Sequence, residues 1–92
     1  MVVLRIEHTV TDFDTWKAAF DSDPLGREQS GVRRYRILRP ADDAASVAVD
    51  LEFDDANGAE AFRNALRDLW RRVDVIRDPR ARLFDVVESG EY

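Results

Sequence analysis

The sequence predicts an α+β fold with the element order βαββαβ: a four-stranded antiparallel sheet in strand order 4-1-3-2, with both helices on one face. Three observations carry that prediction. Apolar and polar residues alternate through 2–9, 32–39 and 46–53; large apolar residues recur every three or four positions after residue 12 and after residue 57; and a six-residue turn-forming segment, 40–45, joins the second and third alternating runs.

The first strand spans 2–9. Val2, Leu4, Ile6 and His8 fall on one side of its pleat, and Val3, Arg5, Glu7 and Thr9 on the other. Thr11 or Asp12 supplies a cap for a helix over 12–21, in which Phe13, Trp16 and Phe20 form one stripe. Pro24 and Gly26 interrupt it, and the following segment reads equally as a helical turn or a loop.

Strand two covers 32–39, with Tyr35 and Ile37 on one face and Arg34, Arg36 and Leu38 on the other, and Pro40 ends it. Strand three covers 46–53, where Val47, Val49, Leu51 and Phe53 alternate with Ala48, Asp50 and Glu52. The short linker between the two makes them antiparallel neighbours. Asp54, Asp55 or Asn57 caps the second helix, whose stripe is Ala59, Phe62, Leu66 and Leu69. Acidic groups at its start and Arg67, Arg71 and Arg72 at its end complement the helix dipole. Residues 73–79 read as irregular, with a small apolar cluster at Val75 and Ile76, and 82–88 as the last strand.

This is the ferredoxin-like plan. The helix-facing side takes Leu4, Ile6, Tyr35, Ile37, Val47 to Phe53, Phe84 and Val86. The other side then gathers Arg5, Arg34 and Arg36 with Glu7, Asp50, Glu52 and Asp85, together with Leu83 and Val87. Two readings of that ionic face stand side by side: a solvated surface with cross-strand ion pairs, or a face that covers its counterpart in a second chain. It carries no aromatic residue for base stacking, which argues against an RNA-binding sheet.

Composition narrows the function classes. Ninety-two residues fit one domain, 1–92, with a single core. A net charge of −5 opposes general affinity for nucleic acid. No run approaches the ~20 apolar residues of a membrane span, and the N-terminus lacks a signal-peptide pattern, so no membrane partner and a cytoplasmic location are expected. Without cysteine and with one histidine, thiolate chemistry and a histidine-only metal site within one chain are excluded. Thirteen arginines to one lysine fit the coding bias of a GC-rich bacterium.

His8, the one side chain that ordinarily titrates near neutrality, is the candidate catalytic base, with a hydrogen-bonded structural role as its alternative. Tyr35 carries a phenol suited to a bound ketone or phenolate. Arg34 and Arg36 suit an enolate or phenolate that develops during reaction, or else pair with Asp50, Glu52 or Asp85. Tyr35, Arg34, Arg36 and Asp50 are therefore candidate substrate-binding residues, and Trp16 and Phe20 read as core packing. No Ser-His-Asp order, phosphate loop or metal-ligand spacing is present.

The stretch Glu-His-Thr-Val-Thr-Asp-Phe-Asp-Thr-Trp-Lys-Ala-Ala-Phe-Asp at 7–21 resembles the opening of small bacterial proteins of the dimeric α+β barrel superfamily. The likeness continues through Tyr-Arg-Ile-Leu-Arg-Pro-Ala-Asp-Asp and Val-Asp-Leu-Glu-Phe-Asp-Asp, then Ala59 and Phe62. That superfamily includes antibiotic biosynthesis monooxygenases, which oxidise aromatic polyketides without metal or flavin, haem-degrading enzymes, polyketide cyclases, lactone isomerases and members without an assigned activity.

The resemblance implies a homodimer joined through the sheet face and a small apolar or aromatic metabolite as ligand. It also implies cofactor-free oxygenation or cyclisation as the chemistry; the alternative is a non-catalytic dimer that binds a ligand or partner. Trp70 stands where a monooxygenase tryptophan does, or packs at the edge of the core. Haem-degrading relatives use a strand-one asparagine and a helix-two histidine, which this chain lacks. The sequence departs from the pattern at Pro24 to Gly26 and at Asp74 to Arg80, both where a pocket mouth is expected.

Overall fold

The computed structural model describes residues 1–72 and 76–92. In chain order the elements are β1 (Val2–Val10), α1 (Phe13–Ser22), β2 (Arg34–Leu38), β3 (Ser46–Phe53), α2 (Ala56–Trp70) and β4 (Ile76–Asp85). The strands form one antiparallel sheet in the order β2-β3-β1-β4, the expected βαββαβ arrangement.

Both helices start on an aspartate. Asp12 accepts a hydrogen bond from the Thr15 amide and Asp55 one from the Gly58 amide, each satisfying a donor that the first helical turn leaves open. No acidic residue lies within the first turn of α2, so its favourable negative charge sits at the cap alone. α1 stops at Asp23, which takes a left-handed conformation (φ 51°) and returns its amide to the Phe20 carbonyl.

The register aligns side chains in rows across the sheet. On the helix side, Tyr35, Leu51, Leu4 and Leu83 form one row and Ile37, Val49, Ile6 and Ala81 the next. Leu4, Leu51, Val47 and Phe53 are the most completely buried large side chains, and Phe62 and Ala59 of α2 close over them. α2 packs directly on β1, β3 and β4, whereas α1 stands further off and reaches the core through Trp16.

Several expectations change. β2 starts at Arg34 rather than at Val32 and ends at Leu38. The turn through Gly31, at φ 103°, delivers Val32 to the core before regular pairing begins. Residues 24–31 form consecutive turns closed by backbone bonds such as Ser30 N–H to Gly26 O, 2.9 Å. The last strand begins six residues earlier than expected and stops before Val86. Pro79 is accommodated because β4 is an edge strand, beside Asp78 at positive φ and a register shift opposite Glu7 to Thr9. Of the expected irregular segment 73–79, Ile76 to Pro79 belong to β4, and the cluster partner Val75 lies outside the described residues.

That earlier start also reverses the expected faces of β4. Phe84 pairs with Val3 and Arg82 with Arg5, placing Phe84, Arg82 and Arg80 on the open side of the sheet; Leu83 and Ala81 face the core, and Asp85 leaves the open face. Among the described residues the open face therefore carries six arginines, Arg5, Arg34, Arg36, Arg77, Arg80 and Arg82, against Glu7, Asp50 and Glu52. It also carries one aromatic ring, Phe84, on an edge strand where the sequence suggested none. The central strands β1 and β3 present no aromatic residue on that side. Among the described residues, no helix is long and apolar enough to cross a membrane.

Candidate functional site

The gap between α1 and the sheet is a cavity of about 320 Å³, a size suited to a small ligand. Its floor is Ile6, Val49 and Leu51 of the sheet. Trp16 and Phe20 form one wall, Phe62, Leu66 and Trp70 the other, and Pro24, Leu25 and Arg27 of the turn segment shape the rim, with Ile76 opening β4 nearby.

His8 lines the cavity because it continues the alternation of Leu4 and Ile6. It is 6% exposed, with its ring centroid 5.5 Å from that of Trp16, and Nδ1 lies 3.4 Å from the Thr9 carbonyl oxygen. Burial among apolar groups pushes its pKa below the ordinary 6.5, a shift that the Thr9 carbonyl only partly opposes. The imidazole is accordingly neutral at pH 7, the form that accepts a proton.

From His8 the rings of Trp16, Phe20 and Tyr35 follow at successive centroid distances of 5.5, 5.4 and 5.4 Å, so one aromatic series runs from the interior to the edge strand β2. The guanidinium of Arg27 lies 3.7 Å from the centroid of the Phe20 ring.

The six candidate residues do not share one site. His8 and Trp70 meet in the cavity. Tyr35 is on the same side of the sheet but stands beyond Phe20 and is 53% exposed. Arg34, Arg36 and Asp50 lie on the opposite pleat, separated from the cavity by the thickness of the sheet. Asp50 is engaged there by Arg5 through two 2.7 Å bonds and by Arg36 at 3.2 Å. The alternation that puts Tyr35 and Ile37 inward sends Arg34 and Arg36 outward, so a ligand held between His8 and Trp70 does not reach the Arg36–Asp50 pair.

Trp16 and Phe20, read from the sequence as packing, do pack, and they also line the cavity. Arg27 was absent from the candidates; its signal was the break at Pro24 and Gly26, which marks the rim segment without singling out a residue. Among the described residues, no group of three or more acidic or histidine side chains is placed to hold a metal ion.

The comparisons place this architecture in the ferredoxin-like α+β fold. The chain is similar to MhuD, the heme-degrader from Mycobacterium tuberculosis solved with two hemes in its active site, at 17% identity over 99% of this chain and 100% of that one (TM-score 0.75). It is also similar to SnoaB, a cofactor-independent oxygenase from Streptomyces nogalater, at 18% identity over 96% and 94% (TM-score 0.70). A dimeric ferredoxin-like protein from an uncultured marine organism matches at 9% identity over the whole of both chains (TM-score 0.71). At these identities the likeness is one of fold. No protein-family model matches the chain, and no curated protein sequence matches it.

Proposed function

We propose that this chain is a small-molecule-binding protein that works as a homodimer through its open sheet face, with cofactor-independent oxygenation of an aromatic or polyketide-like metabolite as its chemistry. The observation that carries the reading is the buried imidazole of His8 in the wall of a largely apolar cavity with Trp16 and Trp70. A buried base beside a flat apolar ligand removes a proton from a phenol or enol; the electron-rich anion left behind forms a C–O bond to dioxygen, the peroxide takes the proton back from the imidazolium, and O–O cleavage with loss of water leaves the quinone, the substrate itself supplying the electrons. Trp70 and Trp16 hold the ring system and exclude water. The likeness in fold to SnoaB supports this chemistry.

The proposed assembly is bacterial and cytoplasmic, folds as one domain, and requires neither nucleic acid nor a membrane. Pairing through the sheet covers Phe84, which is 39% exposed, and the row Arg36, Asp50, Arg5 and Arg82. Arg34, Arg36 and Asp50 serve this face rather than the ligand.

The test is oxygen consumption with a panel of aromatic polyketides and quinols, comparing wild type with His8→Ala. Turnover above buffer level in the wild type and its loss in the variant support the reading; equal, buffer-level rates in both remove the enzyme claim. The rival reading, a dimer that binds its ligand without converting it, is favoured by the largely apolar lining of the cavity away from His8 and the Ser22, Asp23 and Arg27 rim. It predicts a stoichiometric companion in mass spectra of gently purified protein, with no product formed.

A further inference from the structure

The cavity does not end at its rim. A second, shallower groove of about 270 Å³ lies against it, lined by Glu28, Val32, Arg33, Tyr35 and neighbours, and the two share Asp23 and Arg27. Arg27 therefore stands where an apolar chamber passes into a polar one.

Its position is set by the surrounding chain. The guanidinium stacks on Phe20, its Nη1 donates to the Phe20 carbonyl at 2.9 Å, and the Asp23 carboxylate lies 3.5 Å away and accepts from the Arg27 backbone amide at 2.9 Å. Those contacts engage one end of the guanidinium. Arg5 grips Asp50 through its Nε and Nη2, and Arg33 grips Asp54 through the same two nitrogens, the edge that matches a carboxylate. In Arg27 that edge has no hydrogen-bond partner among the described residues. Tyr35 stands beside it, its ring 5.5 Å from the Arg27 guanidinium carbon, and its hydroxyl likewise lacks a partner among the described residues.

We infer that the cavity takes an aromatic acid whose ring system lies against Trp16 and Trp70 and whose carboxylate is received at the rim by the Nε and Nη2 edge of Arg27, with Tyr35 alongside. This rests on the ligand-binding reading above and adds the charge and orientation of the ligand. The reacting ring is directed inward toward His8 and the anionic end outward, so Arg27 orients the ligand while leaving the proton chemistry to the imidazole. A fixed planar cation already stacked and tethered loses little freedom when it binds a carboxylate.

The experiment titrates 2-naphthoate and 2-naphthamide, which share a bicyclic ring and differ in charge, into the full chain by calorimetry at neutral pH. The acid is expected to bind about tenfold more tightly than the amide, as a charge-assisted pair at a partly exposed site allows, and the preference is expected to shrink as salt is added. Arg27→Gln lowers the acid to the affinity of the amide and leaves the amide unchanged; Arg27→Lys keeps part of the preference, and Tyr35→Phe weakens the acid alone. Equal affinities in the wild type overturn the anionic subsite and leave the cavity reading intact, whereas binding of neither probe overturns both. A parallel fall for the two probes in Arg27→Gln makes Arg27 a structural cap of α1 and overturns the inference. If that variant fails to fold, the wild-type comparison and Tyr35→Phe decide the question.

Discussion

Asp50 and Arg5 face one another across β3 and β1 and are joined by two parallel hydrogen bonds of 2.7 Å, with the carboxylate 4% exposed and Arg36 approaching from β2 at 3.2 Å. The most buried acidic group among the described residues thus lies at the centre of the open sheet face, held by cations on both neighbouring strands. The pairing keeps its carboxyl below the ordinary 3.8, chiefly through the hydrogen bonds from Arg5.

Removing that carboxylate should destabilise the fold. Arg5 retains 42% exposure of its side chain and can be re-solvated, so Asp50→Asn is expected to cost about 1–3 kcal/mol, below the value for a fully buried pair. Urea denaturation measures it. Because the folded carboxyl titrates below the unfolded one, the pairing contributes in full above pH 3.8 and is lost as pH falls through the lower folded value. Asp50→Asn should lack this acid-dependent component, and an unchanged acid limb would count against the pairing.

His8 predicts a second pH dependence at milder acidity. Its folded pKa lies below 6.5, so as pH falls under that value the unfolded chain takes up a proton that the folded chain refuses, and stability declines until the folded imidazole is also charged. Unfolding midpoints measured from about pH 8 to 5 should bend downward in the wild type and run flatter in His8→Gln. An imidazole titration followed by NMR should centre below 6.5.

The core makes a prediction independent of function. Leu4 is fully buried between Leu51 and Leu83, so Leu4→Ala is expected to cost about 2–5 kcal/mol by loss of apolar burial and creation of a cavity. A loss below 1 kcal/mol, read by thermal and urea denaturation, would mean that the sheet and helices pack differently here.

The open face sets a prediction for assembly. Phe84 is its aromatic residue, with the Arg82 guanidinium 5.0 Å from its ring centroid. Phe84→Glu should convert the proposed dimer to monomer in sedimentation at micromolar concentration while leaving the circular dichroism unchanged. Because arginines outnumber carboxylates among the described residues of each face, association should strengthen as salt rises from ~0.01 M to ~1 M and shortens the Debye length. A wild-type monomer at those concentrations would remove the sheet-to-sheet assembly.

Where one element carried a clean period, the sequence was a reliable guide. β3 was expected at 46–53 and occupies Ser46–Phe53, since Val47, Val49, Leu51 and Phe53 alternate without interruption and one face is fully buried. β4 shows the opposite case. Leu83, Phe84, Val86 and Val87 offer apolar residues in both phases, so alternation alone could not choose between them. The register with β1 chooses, turning Leu83 inward and Phe84 outward. The candidate site was legible to the same degree. His8 followed from its phase with Leu4 and Ile6, while Arg27 lay hidden in a turn segment without periodicity, where only the fold brings its guanidinium over Phe20.

The amino-acid order determined the number of elements, their sequence, and which side of β1, β2 and β3 is greasy, because these depend on residues a few positions apart. Tertiary structure decided the register in which β4 meets β1, how far α1 stands from the sheet, and therefore that a chamber exists between them at all. It also separated His8 from Arg34 and Arg36 by putting them on opposite sides of one layer. Those outcomes depend on contacts between residues distant in the chain, whose geometry is settled by packing volume and hydrogen-bond register rather than by local preference.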